Sequence, residues 1–151
     1  MPELASNRPL LDKLGVRPGA RVALVGIDDP VFRELLRART GNVVERLPHP
    51  AIDLVFLAAD SPGDLGWLAE LRQSIVPNGA IWVVSGKGRA ATLRDVDVIA
   101  AARAAGLIDN KVVSFSETRT AMRLVIPLDQ RPPARRGTVR RPVARRQVAE
   151  E

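Results

Sequence analysis

The sequence predicts an α/β fold on a mostly parallel sheet, and three observations predict it. The apolar run Val22–Val25 ends in Gly26, and two aspartates and Pro30 then open a segment where Phe32, Leu35 and Leu36 recur at helical spacing. Strand, tight turn and helix in that order make the first half of a βαβ unit. Residues 52–58 and 80–85 are continuous apolar runs without polar alternation, as expected of strands covered on both faces. The last two strand-like runs, 111–115 and 121–128, are separated by the short polar connection 116–119. That connection is too short for a parallel crossover, so the sheet should close with an antiparallel hairpin.

The remaining elements follow in order. Leu10, Leu11 and Leu14 share the face of a short helix that Ser6 or Asn7 can cap, with Pro9 suited to its first turn and Gly15 ending it. The helix opened by Asp28 and Asp29 should stop near Thr40-Gly41, with the glycine left-handed. Residues 42–46 read as a short strand and 47–50 as a loop holding His49 between two prolines. Leu65, Leu68, Leu71 and Ile75 form a helical stripe running to Val76, before the turn Pro77-Asn78-Gly79. A glycine-rich turn, 86–89, leads into an alanine-rich helix over about 93–105 that Gly106 ends. Trp67 and Trp82 fall within a helix and a strand, where packing is expected rather than base stacking.

Composition narrows the function classes. At 151 residues the chain can bury one substantial core. It contains no cysteine, which excludes disulfides and thiolate chemistry. No apolar run approaches a membrane span, and the first residues lack the pattern of a signal peptide, so a cytoplasmic location is expected. The net charge of +6 is unevenly spread: residues 131–151 hold seven arginines against two glutamates, which is +5. The expected organisation is therefore one domain over 1–130 and a disordered Arg-rich tail over 131–151, too poor in apolar residues to offset its ordering entropy.

The order of elements resembles the class I S-adenosylmethionine-dependent methyltransferase fold, a Rossmann-like three-layer plan whose sheet ends in such a hairpin. The segment Leu14-Gly-Val-Arg-Pro-Gly-Ala-Arg-Val-Ala-Leu-Val-Gly26 is similar to that fold's entry into its first motif. Ala51-Ile-Asp-Leu-Val-Phe-Leu and Leu71-Arg-Gln-Ser-Ile-Val-Pro-Asn-Gly-Ala-Ile-Trp-Val-Val resemble its fourth strand, following helix and fifth strand. The chain also resembles a family of small uncharacterised bacterial proteins, through Ala101-Ala-Arg-Ala-Ala-Gly-Leu and Lys111-Val-Val-Ser-Phe-Ser-Glu-Thr-Arg-Thr-Ala-Met-Arg-Leu-Val-Ile-Pro127. Three features depart from the methyltransferase plan. The nucleotide loop, acidic-x-Gly-x-Gly-x-Gly in that fold, is here Leu24-Val-Gly-Ile-Asp-Asp-Pro30. Between Glu45 and Ile52 there is no room for the usual third strand. Asp60-Ser61-Pro62-Gly63 keeps the acid and one proline of the substrate motif but loses its aromatic ring.

Candidate sites follow from these positions. If a nucleotide cofactor binds, the resemblance implies Gly26, Asp28, Glu45 and Asp60, with Glu45 where such folds set an acid on the ribose hydroxyls. Asp28 and Asp29 equally suit capping of the helix that follows. Gly86, Lys87, Gly88 and Arg89 combine glycine amides, two cations and a following helix start, a candidate site for a small anion. Ser114, Ser116, Glu117, Thr118 and Thr120 form either a polar turn or the rim of a binding cleft. No catalytic residue is assigned: the single histidine, His49, supports neither a nucleophile triad nor a metal site. Arg135, Arg136, Arg140, Arg141, Arg145 and Arg146 give the tail a weak attraction for nucleic acid or another polyanion. The expected function is a non-catalytic binding or regulatory module that uses no cofactor and meets an unknown protein partner or small anion. A small S-adenosylmethionine-dependent methyltransferase, or polyanion binding through the tail, are the alternatives.

Overall fold

The strands are β1 (Val22–Val25), β2 (Val43–Val44), β3 (Ile52–Ala58), β4 (Ile75–Gly86), β5 (Ile108–Ser114) and β6 (Arg119–Val125). The helices are α1 (Leu10–Lys13), α2 (Pro30–Arg39), α3 (Leu68–Arg72) and α4 (Asp95–Ala104). In this computed structural model, which describes residues 9–45 and 51–131, the strands form one sheet in the order β2-β1-β3-β4-β6-β5. β1 runs parallel to β2 and β3, and β3 parallel to β4. β6 lies antiparallel between β4 and β5, the closing hairpin that its short connection requires.

Alternate residues of β3 and β4 enter two different cores, which is why both runs are continuously apolar. Val55, Leu57, Ile81 and Val83 pack with Leu65, Leu68, Leu71, Val98 and Ala102 from the α3 and α4 side. Leu54, Phe56, Trp82 and Val84 pack with Leu11, Leu14, Phe32 and Leu36 from α1 and α2 on the other face. Each such Val, Leu, Ile or Phe side chain contributes about 1.5–3 kcal/mol by leaving water. Trp82 is fully buried, and its Nε1 donates to the Leu14 carbonyl at 3.1 Å, fixing the end of α1 against β4.

Local chemistry sets the start of α2. Asp29 is its cap, its carboxylate accepting from the Phe32 N–H at 3.1 Å, and Pro30 fills the first helical position, where a missing N–H costs nothing. Its far end differs from expectation. Thr40 turns the chain in extended conformation, its hydroxyl donating to the Ala20 carbonyl at 2.6 Å, and Gly41 is not left-handed. That bond ties the end of α2 to the loop before β1.

Other boundaries move as well, among them β6, which spans Arg119–Val125 rather than 121–128. The stripe Leu65, Leu68, Leu71 and Ile75 is buried as its spacing predicts, yet it is not one helix. A 3₁₀ segment Pro62–Trp67 precedes the five residues of α3, and Ile75 opens β4 by pairing with Ile52. Pro77, Asn78 and Gly79 therefore lie inside a strand, at a register shift between Ile52 and Leu54. Gly79 is required there, since a Cβ would stand 2.8 Å from the Asp53 carbonyl oxygen. The alanine-rich helix begins only at Asp95, where the Arg94 N–H donates to the Asp97 carboxylate at 2.9 Å. β2 is two residues rather than five, and β5 begins earlier than expected, at Ile108, paired with Val125. Ser6, Asn7, His49 and the tail from residue 132 lie outside the described residues. No described helix is long and apolar enough to cross a membrane.

Candidate functional site

The carboxyl ends of β1 and β3 lie side by side, with Val25 paired to Leu57. Gly26 turns the chain there at φ +76°, a conformation that disfavours any side chain, and a Cβ on it would sit 3.4 Å from that of Ala58. Two clefts meet at this glycine.

The first, about 290 Å³, brings together three of the four residues expected at a nucleotide site: Gly26, Asp28 and Asp60. Ser116 and Thr118 of the hairpin turn form its rim, as the sequence allowed, and Phe115 lines it from below. Phe115 tilts against Phe32 at 4.7 Å between centroids, and Phe32 meets Phe56 edge-on at 5.1 Å. The chain's three phenylalanines are thus one cluster joining α2, β3 and the end of β5. Ile27 lines the same cleft but is only 4% exposed and belongs to the core beside Phe32.

Arg119 completes the charge pattern of this cleft. Its Nη1 lies 3.7 Å from Asp60 Oδ1, within ion-pair range but beyond hydrogen-bond distance, and that nitrogen is buried without a hydrogen-bond partner. The loop bearing Asp60 is held by its own backbone. Asp60 N–H donates to the Asp64 carboxylate at 2.9 Å, which holds Asp64 below the usual carboxylate range, and Thr92 donates to the Asp60 carbonyl at 2.6 Å.

Glu45, the fourth expected residue, lies in the second cleft, about 270 Å³, with Gly26, Trp67, Glu70 and Ser74. Its carboxylate is engaged by Arg33 Nη1, and that hydrogen bond pulls the Glu45 carboxyl below its ordinary range. Arg33 Nη2 donates to the Ile27 carbonyl at 2.9 Å. One guanidinium therefore clamps the end of β2 to the turn after β1. Neither Arg33 nor Arg119 was singled out from sequence, because each meets a partner on another element with no local spacing to announce it.

Gly86, Lys87, Gly88 and Arg89 line neither cleft. The Lys87 N–H donates to the Thr118 carbonyl at 2.9 Å and its Nζ to Ser114 Oγ at 2.6 Å, so this amide and ammonium already brace the hairpin. The helix start expected beside them lies at Asp95. Among the described residues no group of three or more His, Cys, Asp and Glu side chains could hold a metal ion. The first cleft offers opposed charges and hydroxyls, a set suited to gripping a small polar ligand by charge and hydrogen bonds.

Solved structures similar to this one include methyltransferases. A SAM-dependent methyltransferase from Aquifex aeolicus superposes with a TM-score of 0.59 at 16% identity, over 78% of this chain and 88% of that one. A putative methyltransferase from Thermoplasma acidophilum gives 0.57 at 10% identity, over 95% and 78%. A TehB-like SAM-dependent methyltransferase from Corynebacterium glutamicum gives 0.52 at 12%, over 82% and 91%. At these identities the likeness is one of fold. Comparison with curated proteins returns no match. The sheet order and the closing hairpin are thus a Rossmann-like fold shared with these methyltransferases, and with residues 11–128 matching its family model the chain belongs to the family described as "Protein of unknown function (DUF3052)".

Proposed function

We propose that this protein is a non-catalytic binding or regulatory module on a methyltransferase-type scaffold. The observation that carries this reading is the Arg33 clamp. Glu45, the acid that the resemblance would set on ribose hydroxyls, is ion-paired to Arg33, and the same guanidinium fastens the turn that would have to receive the cofactor. Asp29 supports it by occupying the Phe32 N–H, one of the few amides at the start of α2 that could meet a cofactor carboxylate. Pro30 has no N–H to offer. What the first cleft keeps is a carboxylate–guanidinium pair with hydroxyls, a recognition set without a nucleophile and base in contact.

The second reading, a small S-adenosylmethionine-dependent methyltransferase, draws on one feature: Gly26 lines both clefts. An elongated ligand laid across that glycine would place one end beside Asp28 and Asp60 and the other beside Glu45 and Trp67. The two readings separate by calorimetric titration of the full chain with S-adenosylmethionine and its demethylated product. The binding-module reading expects no saturable heat at micromolar concentrations. Saturable micromolar binding that Gly26→Val abolishes would overturn it and promote the enzyme.

A further inference from the structure

A third cleft, larger than the two at Gly26, lies at the opposite end of the sheet. It measures about 460 Å³ and is lined by the loop before β1 (Arg17 and Gly19), the start of β3 (Asp53), the bulged part of β4 (Asn78 and Gly79), and Arg123 of β6. Asp53 is its one carboxylate, and it already accepts from the Arg21 N–H at 2.9 Å. Among the described residues neither Arg17 nor Arg123 makes a side-chain hydrogen bond or ion pair. Arg123 is partly buried, and burial first and Arg131 second pull its guanidinium below the ordinary arginine value. Arg131 is itself held, its Nε donating to the Ile126 carbonyl at 2.8 Å. Arg17 and Arg123 thus share a groove whose one carboxylate is already engaged, with Arg131 near enough to Arg123 to act on its charge. Fold stability does not explain that arrangement, because like charges brought together and partly desolvated cost free energy.

We propose that this groove binds the phosphodiester backbone of nucleic acid, with Arg17 and Arg123 meeting phosphates. Two observations favour a long polyanion over a single small one. Arg131 is the first of seven arginines that run to Arg146, a stretch that spans up to about 50 Å when extended. The groove also contains no aromatic side chain, so it offers charge for phosphates and no ring for base stacking. Recognition is therefore independent of base sequence and dominated by counterion release.

The test is fluorescence-anisotropy titration of the full chain with a labelled duplex of random sequence, at several salt concentrations. Each phosphate contact contributes about 0.9 to the log–log salt slope. Arg17→Gln with Arg123→Gln should flatten the slope by roughly 1.8 and weaken low-salt binding by about tenfold. Arg37→Gln with Arg103→Gln removes the same charge from α2 and α4 and should weaken binding far less. Should the change at the partly buried Arg123 disturb folding, Arg17→Gln alone, at an exposed site, should still flatten the slope by about 0.9. An unchanged slope in the groove variants, or an equal loss in the α2 and α4 variant, would overturn the proposal. So would tripolyphosphate displacing the duplex at equal phosphate concentration, because that marks a site for a free oligophosphate.

Discussion

Gly79→Ala should be among the most damaging single-methyl additions to this chain. A Cβ at that position would meet three carbonyl oxygens: Asp53 at 2.8 Å, Val76 at 3.1 Å and Ile52 at 3.2 Å. All three belong to backbone, so no rotamer change relieves the contact, and β3 and β4 must separate where β4 is bulged. Overpacking of this kind costs typically about 1–3 kcal/mol, and the rigid neighbours put this case at the upper end. With a urea m-value of about 1.5–2 kcal/mol/M, a loss of about 3 kcal/mol lowers the unfolding midpoint by about 1.5–2 M. Gly66→Ala is the matched comparison. It lies in the 3₁₀ segment with nothing within 4 Å of the added carbon, so it should leave stability unchanged or raise it by up to about 1 kcal/mol. Equilibrium urea unfolding followed by far-UV circular dichroism gives both values. A Gly79→Ala protein within about 0.5 kcal/mol of the parent would refute the close approach of β3 and β4 and the reading of 77–79 as strand.

Other outcomes follow from the same geometry. Trp82→Phe leaves the Leu14 carbonyl without its buried donor and should cost about 1–3 kcal/mol, read as a lower thermal midpoint. Asp29→Ala removes the cap on the Phe32 N–H and should cost about 1 kcal/mol, whereas Asp29→Asn should restore most of it. The carboxyls of Glu45, Asp64 and Asp97 are held low by hydrogen bonds from Arg33, from the Asp60 N–H and from the Arg94 N–H respectively. The unfolded chain therefore binds more protons in the acid range, and the stability these groups add is present at neutral pH. That contribution is lost as pH falls below about 4.5 for Glu45 and below about 3.8 for the two aspartates, through their lowered native values. Urea midpoints measured from pH 7 to pH 3 should decline accordingly, and Glu45→Gln should make the decline shallower.

Legibility in the sequence divides along physical lines. β3 and the main part of β4 were readable because strands covered on both faces need unbroken apolar runs, and the start of α2 because Asp29 and Pro30 each meet one backbone need there. The closing hairpin was readable from chain length alone. The region 65–79 was not. Ile75 is buried at a spacing that a helix also produces, and its true partner, Ile52, is set by strand register. A proline and a glycine read as a turn, where the glycine in fact admits a neighbouring backbone. At the candidate site, Gly26, Asp28 and Asp60 were legible because sheet topology gathers strand ends. The Arg33–Glu45 and Arg119–Asp60 pairs were not, and neither was the placing of Arg17 and Arg123 along one groove, since such arrangements arise only once the chain is folded.

The two indoles give the molecule a built-in pair of optical reporters. There is no tyrosine, so near-ultraviolet emission comes from Trp67 and Trp82 alone. Trp82 is wholly enclosed and bonded to Leu14, so its emission should be blue-shifted, resistant to iodide quenching, and altered only when the sheet comes apart. Trp67 is 50% exposed on the wall of the Glu45 cleft, where iodide can reach it and an occupant of that cleft would shield it. A Trp82→Phe protein that still folds would leave Trp67 as a single-colour sensor of that cleft. Candidate small molecules could then be screened by quenching protection without any label, and with no prior decision about what the ligand is.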